Sequence, residues 1–320
     1  MKIAYVFPGQ GSQSVGMLQG LAERYADVRA TFDAASTALG FDLWAIVSAG
    51  PEEKLNQTQI TQPAMLTAGV ATWRAWQAEG GPDGACVAGH SLGEYTALVC
   101  AGVIDFADAV KLVADRARFM QEAVPAGQGA MAAILGLDDA AVRALCAQAA
   151  QGEVLDAVNY NAPSQVVIAG TATAVARAVA QAKDAGAKRA LPLPVSVPAH
   201  SRLMQPAATR LVERLRAVPL RAPRVPVLHN VHARSESDPE AVRALLARQA
   251  ASPVLWVDTI AAMTQIGVTH IIEIGPGKVL TGLNKRIAPQ AECLAVNDPA
   301  SLAAARAVIG ANEVRTGVEA

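Results

Sequence analysis

The sequence predicts an α/β protein: a parallel, doubly wound sheet flanked by helices, interrupted by a small α+β unit of ferredoxin-like order. Three observations carry this. Short apolar runs alternate with helix-period segments at both ends of the chain, the pattern of βα units in a parallel sheet. A Gly-x-Ser-x-Gly turn, Gly89-His90-Ser91-Leu92-Gly93, stands between the apolar run 85–88 and a helix-forming segment. The middle of the chain reads β-α-β-β-α-β, a split βαβ arrangement.

Ile3 to Phe7 is a buried strand that runs into the polar glycine loop Pro8-Gly9-Gln10-Gly11-Ser12-Gln13. Helices follow at 17–39 and 61–78, with Pro63 suited to a first helical turn. After the Ser91 strand and helix comes a helix over 105–124. The middle unit takes strands at 129–135, 154–160, 166–169 and 188–193, with helices at 138–150 and 172–185. Asp138-Asp139 and Gly186 supply helix start and stop signals. The first pattern then returns: a helix at 200–216, a strand at 225–231, helices at 239–251 and 254–266, and the strand 269–274. The turn Gly275-Pro276-Gly277, a helix at 278–287 and a strand at 293–296 close it. The last ten residues read as a frayed tail. The chain thus divides into a large hydrolase-like unit, 1–125 and 198–320, and a small ferredoxin-like unit, 126–197.

Composition narrows the function classes. Of 320 residues 52% are hydrophobic, 17% charged and 4% aromatic, which indicates a globular core of small and aliphatic side chains. The net charge of −1, without a basic block, argues against a nucleic-acid face. No stretch approaches the ~20 apolar residues of a membrane span, and the N-terminus lacks a signal-peptide pattern. Cys86, Cys100, Cys146 and Cys293 have neither metal nor disulfide spacing. These features together place the protein in the cytoplasm.

Chemistry starts at Ser91. A serine on a strand-to-helix turn flanked by glycines is lifted clear of the sheet edge, next to unpaired helix N–H groups. It is either an acylated nucleophile or a helix cap; strand, motif and helix in the required order favour the nucleophile. Its base must come from five histidines. His90 lies inside the motif and is constrained in direction. His200 follows an extended segment where the small unit hands back to the large one, a position from which it can overhang Ser91. His229 and His232 are weak evidence for a metal, and His270 has no assigned role. No acidic residue announces itself behind His200, and a serine activated without one suits a thioester better than an amide. A loop at the same sheet edge should supply a second oxyanion donor, making the backbone N–H groups of Gln10 and Leu92 the pair. On the helix 105–124, Arg116 falls at the edge of the apolar stripe while Arg118 lies on the opposite side. Arg116 therefore needs an anion: a protein carboxylate or a substrate carboxylate. Position alone does not separate the two. Gly275-Pro276-Gly277-Lys278 lacks the spacing of a phosphate loop and is a plain βα turn.

Several motifs are more specific. Residues 7–13 (Phe-Pro-Gly-Gln-Gly-Ser-Gln), 89–95 (Gly-His-Ser-Leu-Gly-Glu-Tyr), Arg116 with 119–122, 194–200 (Pro-Val-Ser-Val-Pro-Ala-His) and 275–280 resemble the malonyl-CoA:acyl-carrier-protein transacylases of bacterial fatty acid synthesis. The resemblance spans roughly residues 3 to 298. It implies Ser91 as nucleophile, His200 as base, Arg116 as clamp on a malonyl carboxylate, and Gln10 and Leu92 as oxyanion donors. It further implies that the main-chain carbonyl of Gln249 orients the histidine. No cofactor is implied: a coenzyme A thioester is the substrate, malonyl-CoA the donor and acyl carrier protein the acceptor. The alternatives are a malonyltransferase of another system, such as malonate decarboxylase or polyketide synthesis, and a serine thioesterase or esterase.

Overall fold

The computed structural model describes residues 1–195 and 197–317. Among these, nine strands, β1 to β9 in chain order, form two sheets. β1 (Ile3–Phe7), β2 (Cys86–Gly89), β7 (Val227–Leu228), β8 (His270–Ile274) and β9 (Glu292–Val296) make a parallel sheet in the order β7-β2-β1-β8-β9. β3 (Gly129–Leu135), β4 (Leu155–Ala162), β5 (Gln165–Thr171) and β6 (Arg189–Pro192) make an antiparallel sheet in the order β4-β5-β3-β6. This is the expected combination of a helix-flanked parallel sheet and a small antiparallel unit.

Alternation along β1 explains how the large sheet is covered on both faces. Ile3, Tyr5 and Phe7 enter one core with the helix Thr58–Ala78. Ala4 and Val6 enter another with Trp256, Ile260, Met263 and Leu280. The helix Thr58–Ala78 is buried around most of its circumference, as a helix in the middle of a core must be. In the small sheet one face packs on the helices Asp139–Ala150 and Ala172–Gln181 through Ile134, Val142, Leu145, Ile168 and Val175. The other face presents Met131, Val158, Val167 and Ala169 to Leu193, Val195 and Ala199. Val254 joins the two units: its N–H donates to Val158 O at 2.8 Å, and its O accepts from Tyr160 N–H at 3.0 Å.

Several elements differ from expectation. The helix expected over 17–39 is broken at Tyr25, whose backbone is extended, into Gln19–Arg24 and Ala26–Leu39. Two further helices, Leu43–Ala49 and Glu52–Leu55, follow; Asp42 caps the first by accepting from Ala45 N–H at 3.0 Å. The next helix begins at Thr58, so Pro63 falls in its second turn rather than its first. The strand expected over 225–231 shrinks to Val227–Leu228, because Pro226 has no N–H for a ladder and Asn230 is drawn towards Ser91. A 3₁₀ turn, Arg202–Met204, precedes the helix Gln205–Arg216. The expected frayed tail is instead helical as far as Gly317 in the element Pro299–Gly317, and residues 318–320 lie outside the described residues. No helix among the described residues is long and apolar enough to cross a membrane.

Candidate active site

The parallel sheet directs the carboxyl ends of β1 and β2 to one edge, where ligands gather in open α/β sheets. Ser91 stands there with φ +52°, a left-handed conformation that costs a non-glycine residue about 1–2 kcal/mol. Its surroundings hold it there. A Cβ on Gly89 would lie 1.9 Å from the Gly93 carbonyl, and one on Gly93 would lie 2.1 Å from Phe7 O. Only glycine lets strand, turn and helix cross this closely. Asn230 then staples the turn: its Oδ1 accepts from Ser91 N–H at 2.7 Å and its Nδ2 donates to Gly89 O at 2.7 Å.

His200 overhangs this turn from the segment that returns from the small sheet, also with positive φ, +67°. Ser91 Oγ–H donates to His200 Nε2 across 2.7 Å. On the far side of the ring, Nδ1 faces the main-chain oxygens of Gln249 at 2.9 Å and Ser252 at 3.2 Å. Carbonyl oxygens only accept, so Nδ1 carries the proton and the Nε2 lone pair faces the serine. Burial, reinforced by the charge of Arg116, pushes the His200 pKa down to about 3. The imidazole is therefore neutral and able to take a proton throughout the physiological range.

Arg116 is 1% exposed, on the helix Phe106–Ala123. Nη1 donates to Gln62 Oε1 at 2.7 Å. Nη2 donates to Gln249 Oε1 at 2.9 Å and to Ser91 Oγ at 3.3 Å. The Tyr95 ring lies beneath, its centroid 5.3 Å from the guanidinium carbon. Among the described residues no carboxylate forms a salt bridge with Arg116; its partners are neutral. Of the two anions that could satisfy it, the first, a protein carboxylate, does not touch it among the described residues; Glu94 acts on it from behind Gln249.

Gln10 and Leu92 both line the cavity of about 130 Å³ above Ser91, with Gln62, Met120, His200 and Val197. Their backbone N–H groups make no hydrogen bond among the described residues. The glycine loop comes close to the turn, since a Cβ on Gly9 would lie 2.5 Å from His90 O. A second cavity of about 530 Å³ adjoins the first, sharing Gln10, His90 and Asn159 and extending to Asn161, Pro194 and Val279. His90 itself turns away from Ser91: its Nε2 pairs with Asn161 Oδ1 at 2.8 Å, on the bulged strand β4.

The acyl transferase domain family matches residues 4–303, so its model covers nearly the whole chain. The chain belongs to that acyltransferase family. It is 57% identical over 304 residues to the malonyl CoA-acyl carrier protein transacylase of Escherichia coli (strain K12), covering 95% of this chain and 98% of the relative. An acyl carrier protein S-malonyltransferase from Vibrio cholerae superposes with a TM-score of 0.93 at 58% identity, over 95% of this chain and all of that one. A malonyl-transacylase solved in complex with a type II PKS acyl-carrier protein gives 0.93 at 54% identity, over 94% and 98% of the two chains.

Within this acyltransferase, sequence reasoning gave no role to Gln62, Glu94 or Asn230 and considered His229 only for a metal. Glu94 is fully buried and meets His229 Nδ1 at 2.7 Å, Asn230 N at 3.1 Å and Gln249 Nε2 at 2.8 Å. A signal existed: Glu94 is the one charge in the otherwise apolar helix Gly93–Cys100. The pair His229 and His232, considered for a metal, brackets the residue that matters, Asn230. Arg177 pairs with Glu153, and Arg286 bridges to Gln165 and Pro163 O in the small sheet.

Proposed function

We propose that this acyltransferase moves the malonyl group of malonyl-CoA onto the phosphopantetheine thiol of acyl carrier protein, supplying fatty acid synthesis, through a malonyl ester of Ser91. One observation carries the acyl-group assignment: a buried arginine without a protein carboxylate stands 3.3 Å from the nucleophilic oxygen. The names of the relatives at 57% identity agree with it.

The steps follow from the geometry. The malonyl carboxylate binds Arg116, a planar fork suited to two oxygens. His200 Nε2 takes the Ser91 proton as Oγ attacks the thioester carbonyl carbon. The resulting oxyanion is held by the N–H groups of Gln10 and Leu92, donors worth about 10²–10³ in rate each. Collapse breaks the C–S bond, and the imidazolium returns its proton to the departing CoA sulfur. The carrier's thiol then gives its proton to His200, attacks the ester carbonyl, and releases Ser91 with that proton. Gln249 O and Ser252 O keep Nδ1–H in place in both halves. Every proton and electron pair is accounted for by substrate and side chains, so the chemistry calls for no cofactor.

The cavity beside Asn161 and Val279 is the approach for the pantetheine arm of either thioester. The small unit, which we delimit as 126–197, roofs that approach. A cytoplasmic setting fits the four buried free cysteines. A serine thioesterase is the second reading by chemistry, but His200 is backed by two backbone carbonyls rather than a carboxylate, a weaker arrangement suited to activated esters. The test is the mass of the carrier after incubation with enzyme and malonyl-CoA. Holo carrier should gain one malonyl group and apo carrier none; hydrolysis of malonyl-CoA with the holo carrier unchanged would contradict the assignment.

A further inference from the structure

Glu94 is the second residue of the helix that follows Ser91, and it is completely buried. A buried carboxyl is costly unless donors satisfy it. Three reach it, His229 Nδ1–H on Oε1, and Asn230 N–H and Gln249 Nε2–H on Oε2. The last of these leads into the site. Gln249 Nε2 is bracketed by Glu94 Oε2 at 2.8 Å and Ser91 O at 2.9 Å. The other end of the same amide, Oε1, accepts from Arg116 Nη2 at 2.9 Å. Planarity ties the two ends together, so whatever holds the nitrogen also holds the oxygen against the guanidinium.

We propose that Glu94 is a positioning residue for acyl selectivity: by anchoring Gln249 Nε2 it fixes Arg116 where a substrate carboxylate meets it beside Ser91. Glu94 touches neither substrate nor reacting atoms and acts through Gln249. The inference rests on malonyl transfer through Ser91 and adds a selectivity-setting residue to it. A purely structural role predicts something different. If Glu94 only buttressed the turn, its loss would slow every acyl donor by the same factor.

The experiment compares acyl-Ser91 formation from malonyl-CoA and acetyl-CoA, by intact-protein mass under single-turnover conditions, with rate constant and half-saturation separated. Acetyl has no carboxylate and does not use the clamp. Glu94→Ala should lower the malonyl-to-acetyl ratio of specificity constants by about five- to tenfold, through a higher half-saturation for malonyl-CoA, as expected for coupled neighbours. Glu94→Gln should recover most of that ratio, because its amide oxygen can still accept from Gln249 while its nitrogen donates to His229 Nδ1 once that ring moves its proton to Nε2. In a Gln249→Leu background, Glu94→Ala should lower the ratio no further. Equal losses for both donors, or a double variant that loses the product of the two single effects, would overturn the inference. Should Glu94→Ala fail to fold, Glu94→Asp takes its place, since it withdraws the oxygens but keeps the charge. A fallen ratio then supports the inference and an unchanged one overturns it. A wild-type enzyme that forms no malonyl ester at all is a separate result, which removes the transfer reaction itself.

Discussion

Arg116 donates to the Oγ of Ser91 across 3.3 Å, so the proposed anion clamp and the proposed nucleophile are immediate neighbours. A substrate that satisfies both must carry a carboxylate very close to its thioester carbon. Malonyl, with one methylene between them, meets that condition; a longer dicarboxylic acyl group would have to fold back.

Replacing Arg116 by alanine should therefore change preference rather than abolish catalysis. Hydrogen bonds between charged groups contribute about 1.5–3 kcal/mol, so kcat/KM for malonyl-CoA should fall roughly 10- to 100-fold. Acetyl-CoA should compete better than with the wild type. Parallel rate measurements with the two donors check this; an unchanged malonyl preference would remove the clamp.

The protonation of His200 gives a pH prediction with a definite sign. Its pKa is lowered to about 3, by burial first and Arg116 second, so Nε2 stays able to accept a proton well below the ordinary 6.5 of histidine. The acid limb of acyl-Ser91 formation attributable to this base should lie far below pH 6.5. With acetyl-CoA as donor, Arg116→Ala should move that limb upward. Stability follows the same linkage. Between about 3 and 6.5 the unfolded chain binds a proton that the folded one does not, so this group makes stability fall as pH drops through that window. Denaturant titrations at pH 7 and pH 5 should show a smaller difference in His200→Asn than in the wild type.

Asn230 offers a contrasting case. Its side chain staples the strained turn through both ends of its amide and touches neither Arg116 nor Gln249, while its backbone N–H on Glu94 is kept in an alanine variant. Asn230→Ala should slow acylation from malonyl-CoA and acetyl-CoA by the same factor, about tenfold on the cost of a lost buried hydrogen bond. Unequal factors would show that Asn230 acts on selectivity.

Two glycines in helices should respond oppositely to the same substitution. Gly93→Ala places a methyl 2.1 Å from Phe7 O, and the backbone must move; we expect a protein that is inactive or fails to fold. Gly282 sits in the helix Val279–Ile287 with nothing within 4 Å of a new Cβ, so Gly282→Ala should stabilise by about 0.5–1 kcal/mol. Thermal melts of the two variants check both.

Much of this was legible in the sequence because the relevant signals are local. Strand runs, the glycine-flanked serine and the stripe that places Arg116 inward each occupy a few neighbouring residues. The small unit was readable for the same reason, since Asp138 caps its first helix through Ala141 N–H. The illegible parts depend on the tertiary fold. Gln249 faces His200 Nδ1 with its main-chain oxygen, and because a main-chain group leaves no side-chain signature only the resemblance indicated it. Asn230 reaches Ser91 and Glu94 only when β7 aligns beside β2. The helix Leu43–Ala49 was missed although Asp42 marks its start, because seven residues carry little periodicity.

The central claim is a malonyl ester on Ser91 that passes to the carrier's thiol rather than to water. The most direct measurement mixes enzyme with one equivalent of malonyl-CoA, locates the adduct by peptide mass, and then adds holo acyl carrier protein. One malonyl group on the peptide containing Ser91, absent in Ser91→Ala and chased onto the carrier, is the predicted result. An adduct lost to water with none reaching the carrier, or no adduct while the carrier is still malonylated, would contradict it.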